Sequence, residues 1–180
     1  MRLLLLSCCA PCSCAVISYL AEQKKDFTVL FYNPNIAPET EYQKRLEENK
    51  RVCQHFGVPF IELPYEPQVW QKCTQGLENE PERGRRCTAC FELRLRKAML
   101  YAKEHHFDAV SSVLGVSRYK DLDQVNAVAD KVSAQVGVPY DKTNWRKGPL
   151  QPLQTKLIRE LNLYQQNYCG CAPSQRRIQH

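Results

Sequence analysis

Apolar positions along this chain alternate between short continuous runs and stripes at helical spacing. Residues 2–7 form one run and residues 27–33, rich in Val, Phe and Tyr, a second, and both predict buried strands. Between them Pro11 suits the first turn of a helix, whose apolar face is Ala15, Val16, Tyr19 and Leu20. Pro38 opens a longer helix with Tyr42, Leu46, Val52, Cys53 and Phe56 on its stripe; Gly57 stops it, and residues 58–63 follow as a third strand. A helix around residues 69–72 leads into the polar segment 78–86, where Pro81 and Gly84 predict a surface loop. Phe91, Leu95, Ala98, Met99 and Ala102 mark the next helix, residues 109–114 a fourth strand, and residues 115–120 a strand-to-helix loop. Leu122, Val125, Val128, Ala129, Val132 and Val136 carry a further helix, ended by Gly137. Strands this apolar, alternating with helices, predict an α/β fold. It is a single doubly wound, mostly parallel sheet, Rossmann-like, with helices on both faces.

A length of 180 residues fits one domain spanning residues 1–180. With 43% hydrophobic and 24% charged residues the composition is that of an ordinary globular chain. The apolar stretch at the N-terminus stops at Ser7 and gives way to cysteines without a cleavage-like site, and no run approaches the roughly 20 residues of a membrane span. These features predict a cytoplasmic protein with no membrane partner. In that reducing setting ten cysteines point to metal rather than to a disulfide framework. The net charge of +6 permits a polyanionic partner without requiring one.

In open α/β sheets ligands gather beyond the carboxyl ends of the strands, so the loop after the first strand is the expected address of a site. Here it reads Ser7-Cys8-Cys9-Ala10-Pro11-Cys12, with thiols where a phosphate cradle would have glycines. Cys87 and Cys90 form a Cys-x-x-Cys pair at a turn entering a helix, a spacing that serves redox chemistry, zinc or an iron-sulfur cluster. With Cys169-Gly170-Cys171 they bring the count to seven thiols in three groups, more than one tetrahedral zinc can use. Adjacent cysteines are expected to splay apart, which favours Cys8 and Cys9 on neighbouring metals and suggests a bimetallic site. Cys53 and Cys73 are isolated on helical segments and read as structural, and Cys14 as packing. His55, His105, His106 and His180 fall at helix ends or the terminus and are not read as ligands. Arg83, Arg85 and Arg86, joined by Arg176 and Arg177, form either a solvated basic surface or a phosphate-attracting one.

Four segments together resemble the cobalamin-independent epoxyqueuosine reductases. They are Cys8-Cys9-Ala10-Pro11-Cys12, Phe31-Tyr32-Asn33-Pro34-Asn35-Ile36, the stretch from Glu80 through Arg86 to Cys87, Cys90 and Phe91, and Tyr168-Cys169-Gly170-Cys171. Glu41-Tyr42 with Arg45, Arg94-Leu95, and Gly115 to Lys120 are lesser matches, and many relatives have Ser-Pro where this chain has Ser117-Arg118. The resemblance implies the last step of queuosine synthesis, reduction of epoxyqueuosine at the wobble position of tRNA with loss of the epoxide oxygen as water. It implies a 4Fe-4S cluster and an additional mononuclear iron, the latter acting as a Lewis acid, with electrons from an unidentified low-potential donor. By motif the ligands are Cys8, Cys9, Cys12, Cys87, Cys90, Cys169 and Cys171. The expected division gives the cluster Cys9, Cys87, Cys90 and one of the last pair, with Cys8, Cys12 and the other on the single iron; some relatives have Asp at the position of Cys12. Tyr32, Asn33, Asn35, Ser117, Lys120 and Tyr168 are candidates for holding the modified base or passing protons. Two rivals stand beside this reading. An ATP-dependent sulfur transferase acting on tRNA would need a Gly-rich loop that is missing from residues 7–13, and a zinc-stabilised nucleic-acid-binding module would hold zinc without sulfide.

Overall fold

The computed structural model describes residues 1–175, so Arg176, Arg177 and His180 lie outside the described residues. Four strands, β1 (Leu3–Ser7), β2 (Phe27–Phe31), β3 (Phe60–Glu62) and β4 (Ala109–Ser112), form one parallel sheet in the order β3-β2-β1-β4. Leu3 of β1 is in register with Phe27 on one side and Ala109 on the other. β1 is central, and its Leu4, Leu5 and Leu6 are completely buried, which is why the run needs no polar alternation.

Parallel neighbours require crossovers, and helices supply them on both faces. α1 (Ala10–Glu22) packs with α2 (Glu39–His55), while α4 (Arg85–Glu104) packs with α3 (Pro67–Cys73) and α5 (Leu122–Val136) and lies along β1 and β4. Asp121 caps α5 by accepting the N–H of Asp123 at 2.9 Å, and Gly137 ends it at φ 78°, where a left-handed residue favours glycine. A further helix, α6 (Leu150–Glu160), packs on α1, and a short α7 (Ala172–Gln175) closes the described chain.

Three strands are shorter than their apolar runs. β2 stops at Phe31 because Asn33 turns out of the ladder, its Nδ2 donating to the Ser7 carbonyl at 2.9 Å. β3 keeps three residues because it is a half-exposed edge. β4 ends at Ser112 because Leu114–Val116 tightens into a 3₁₀ turn, with the Val116 N–H on the Val113 carbonyl at 3.0 Å. Among the described residues no helix is long and apolar enough to cross a membrane. Because successive crossovers run in opposite directions from β1, the loops after β1 and β4 leave a crevice at the carboxyl end of the sheet.

Candidate metal centre

The chain leaves β1 at Ser7 and enters α1 at Ala10, so Cys8 and Cys9 occupy the break between strand and helix. Cys9 is the residue before the helix, extended at φ −161° and ψ 152°, and three residues on Cys12 shares its side of the first turn. The sulfurs of Cys8, Cys9 and Cys12 therefore lie within 4.8 Å of one another, all buried. Cys8 and Cys9 do not splay as in a regular element: their sulfurs are 3.8 Å apart. Hydrogen bonds from Cys12 and Cys9 hold the Cys8 thiol well below its ordinary range, whereas the bond to Cys8 and burial drive Cys12 well above it. Such a trio readily carries one thiolate and yields the others to a cation that displaces their protons.

The other four motif thiols, Cys87, Cys90, Cys169 and Cys171, line a small second cavity. Gly84 starts α4, which puts Cys87 in its first turn and Cys90 one turn along on the same face. The Arg83 N–H donates to the Cys87 sulfur at 3.3 Å from a left-handed conformation, φ 65°. Cys169 and Cys171 come from far along the chain and are fixed by Arg45, itself buried in α2. Its Nη1 donates to the Cys169 carbonyl at 2.7 Å, Nη2 to the Tyr168 carbonyl at 3.1 Å and Nε to Glu41 at 2.8 Å. The Ala37 N–H adds a bond to the Gly170 carbonyl at 2.8 Å.

Charge and polarity around this cavity suit an anionic, sulfur-rich group. Lys120 and Arg94 line it with the thiols, each buried. Burial opposes the Lys120 charge, but the Cys169, Cys8 and Cys12 sulfurs, when ionised, outweigh it and raise the pKa of the ammonium. Burial pushes the Cys90 thiol up to about 12. Among the described residues two buried donors on lining side chains, Trp70 Nε1 and Arg86 Nε, have no close hydrogen-bond partner, although Trp70 lies near enough to the Cys90 sulfur to lower its thiol. Orphaned donors in a thiol-lined cavity are what sulfide or metal-bound thiolate would satisfy.

Other residues expected at the site divide into several groups. Tyr32 donates its hydroxyl to Glu66 at 3.0 Å, Tyr168 donates to the Ala37 carbonyl, and Asn33 joins Ser7 to Arg94. These bonds hold loops in place. Asn35 lines the second cavity with its Oδ1 unpartnered among the described residues, and Ser117 accepts the Tyr119 N–H at 3.2 Å beside a separate cavity at Cys12. Cys14 and Cys53 are packed in the core, whereas Cys73 is exposed at the end of α3, outside both thiol sets. His55 and His105 sit at helix ends against Phe56 and Tyr101. Arg83 and Arg85 are exposed, but Arg86 is not part of a solvated basic loop: it is 2% exposed, with Nη1 on the carbonyls of Glu78 at 3.1 Å and Glu80 at 2.5 Å. Arg45 and Arg94 were not singled out for any such role. Their signal is positional, since Arg94 falls on the apolar stripe of Phe91, Leu95 and Ala98.

Comparison with known proteins bears on the same residues. The sequence profile of the family described as Epoxyqueuosine reductase QueH matches residues 3–177, a span that contains both thiol sets. The chain belongs to this QueH family. A relative from Histophilus somni named Epoxyqueuosine reductase QueH is 45% identical over 97% of this chain and 72% of its own length. QueH proteins of the same name from Acinetobacter baylyi, 42% identical over 97% of this chain and 81% of theirs, and Thermotoga maritima, 31% over 96% and 91%, are also similar. QueH is an oxidoreductase family, which agrees with a site built from thiols rather than from a phosphate-binding loop.

Proposed function

We propose that this chain reduces epoxyqueuosine to queuosine at the wobble position of tRNA, with its seven clustered cysteines holding a 4Fe-4S cluster and one further iron. The observation that carries this reading is the convergence of a three-thiol and a four-thiol set at one end of the sheet, with a buried lysine lining the four-thiol cavity, in a chain of the QueH family. The reaction takes two electrons and two protons, breaks both C–O bonds of the epoxide and releases the oxygen as water, leaving the alkene. When bound, the cluster supplies electrons singly at low potential and the lone iron supplies a Lewis acid.

Cys87, Cys90, Cys169 and Cys171 are the set we assign to the cluster, because they share one cavity. Cys8, Cys9 and Cys12 would hold the single iron. This differs from the sequence-based division at Cys9, which the geometry groups with Cys8 and Cys12. The chain's own residues do the rest. Lys120 and Arg94 would balance thiolate charge inside a buried site, where Lys120 Nζ keeps a proton. Arg45 holds the 168–170 backbone so that two distant thiols face α4. A low-potential donor in a reducing cytoplasm would supply the electrons, and tRNA carrying epoxyqueuosine is the macromolecular partner.

Metal analysis of anaerobically prepared protein tests the cofactors: about five irons and four sulfides per chain are expected from one cluster and one further iron. Zinc without sulfide contradicts it. Nucleoside analysis of treated tRNA tests the reaction, and unchanged epoxyqueuosine from iron-loaded protein sinks the proposal.

A further inference from the structure

A cavity of about 320 Å³, distinct from the four-thiol one, opens beside Cys12. Its floor is Pro11 and Cys12 of α1, one wall is the loop after β4 at Val116 and Ser117, and the other is Gln154 and Ile158 of α6. The frame is fixed from behind. Gln154 Nε2 donates to the Pro11 carbonyl at 2.6 Å, and Arg146 donates to the carbonyls of Ser117 at 3.0 Å and Lys120 at 2.9 Å. At the rim the Tyr119 hydroxyl donates to the Asn167 carbonyl at 2.9 Å, tying this loop to the segment after α6.

Gln166 lines the same cavity, and its Oε1 is buried with no donor among the described residues. A buried amide oxygen without a partner is uncommon and unfavourable unless a ligand supplies the hydrogen. Val116, Ile158 and Pro11 offer apolar surface for the face of a flat ring, while Ser117 and Gln166 offer polar atoms for its edge or substituents. Outside, Arg118 is exposed and Arg83 donates to its carbonyl at 2.9 Å, placing two cations at the mouth, where a flanking phosphate would lie.

We infer that this cavity receives the extruded base of a single-stranded RNA loop and that Gln166 is a specificity-determining residue, accepting a hydrogen bond from the base or its hydroxylated substituent. The inference rests on the proposed function, since it is the Cys12 floor that makes the cavity a route to the metal centre.

The test compares binding of two anticodon stem-loops, one with epoxyqueuosine and one with guanine at the wobble position, to iron-loaded wild type, Gln166→Ala and Gln166→Glu. Wild type is expected to prefer the epoxyqueuosine loop. Gln166→Ala should lose about tenfold of that preference, the scale of one hydrogen bond to a buried acceptor, with KM raised, kcat little changed and iron and sulfide content intact. Gln166→Glu retains an acceptor and should keep most of the preference. Should the alanine variant fold poorly, Ile158→Trp, which fills the cavity from α6, should abolish preferential binding while iron content holds. Wild-type turnover combined with undiminished preference in both Gln166→Ala and Ile158→Trp would overturn the inference and leave the reductase assignment standing. Wild type that neither turns over nor discriminates overturns both.

Discussion

Cys9 is the residue on which the two ways of dividing the thiols disagree. Its sulfur lies with those of Cys8 and Cys12, and it is the strand-to-helix break that makes adjacent cysteines converge. Cys9→Ser should therefore leave most cluster absorbance and remove about one iron per chain; loss of the whole cluster would return Cys9 to the cluster set. Replacing Cys8 or Cys12 with Ala should abolish turnover with the cluster spectrum largely retained, and equal loss of both would indicate a single centre. Lys120 is buried in the lining of the four-thiol cavity, and its charge interacts with Cys8 and Cys12 as well. Lys120→Met should lower turnover by about tenfold or more and move the cluster potential to more negative values, while Lys120→Arg, which keeps the charge, should restore the potential better than the rate. An unchanged potential in Lys120→Met would remove Lys120 from the site's electrostatics. Much at this scale was legible beforehand, because Cys-Cys-x-x-Cys, Cys-x-x-Cys and Cys-x-Cys are local patterns. What was not legible was the partner each candidate side chain takes, such as Glu66 for Tyr32, since that depends on residues distant in sequence.

Elements bring these residues together, and the most demanding delivery is that of Cys169 and Cys171 to the start of α4. Arg45 does this from α2 with its whole fork. Arg45→Ala leaves two carbonyls and one oxygen of the Glu41 carboxylate, whose other oxygen keeps the Tyr164 hydroxyl, without the guanidinium in a buried setting and should cost about 3–5 kcal/mol. Denaturant unfolding measures it, and a loss below 1 kcal/mol would show that the C-terminal segment is held by other means. Gly170 has φ 140°, and a Cβ there would approach Arg45 Nη1 at 3.0 Å and Ile36 Cγ1 at 3.2 Å. Gly170→Ala should cost about 1–3 kcal/mol and reduce iron retention, since it displaces both flanking thiols. The long apolar runs and helical stripes had already marked β1, β2, α1, α2, α4 and α5, because a buried strand or a one-sided helix writes its period into the chain. α6 was missed although Leu150, Leu153, Leu157 and Ile158 carry the spacing; Pro149 and Pro152 mask it as a loop. The shortened ends of β2 and β4 were hidden as well, since apolar residues there continue into a loop and a 3₁₀ turn that are also buried.

For the molecule as a whole, a parallel sheet that reverses its winding at β1 opens a crevice, and this chain fills that crevice with sulfur and buried cations. Bringing so many thiols and two buried cations together without metal is electrostatically and sterically unfavourable, so metal binding should stabilise the fold. Chelation of iron under anaerobic conditions is expected to lower the unfolding midpoint, and an unchanged midpoint would mean that the site is preformed independently of its metals. The parallel α/β architecture could be read from the alternation of elements, and the family from the order of its motifs. The cavity beside Cys12 could not, because Cys12, Ser117, Ile158 and Gln166 meet only once the chain has closed on itself. The most direct measurement is a titration of iron- and sulfide-loaded protein with a one-electron reductant in the presence of tRNA carrying epoxyqueuosine, with the nucleosides quantified after digestion. The proposed function predicts queuosine formed in proportion to reductant, about two electrons for each molecule, the balance for reducing an epoxide to an alkene and water. Reductant consumed while epoxyqueuosine remains unchanged would contradict it.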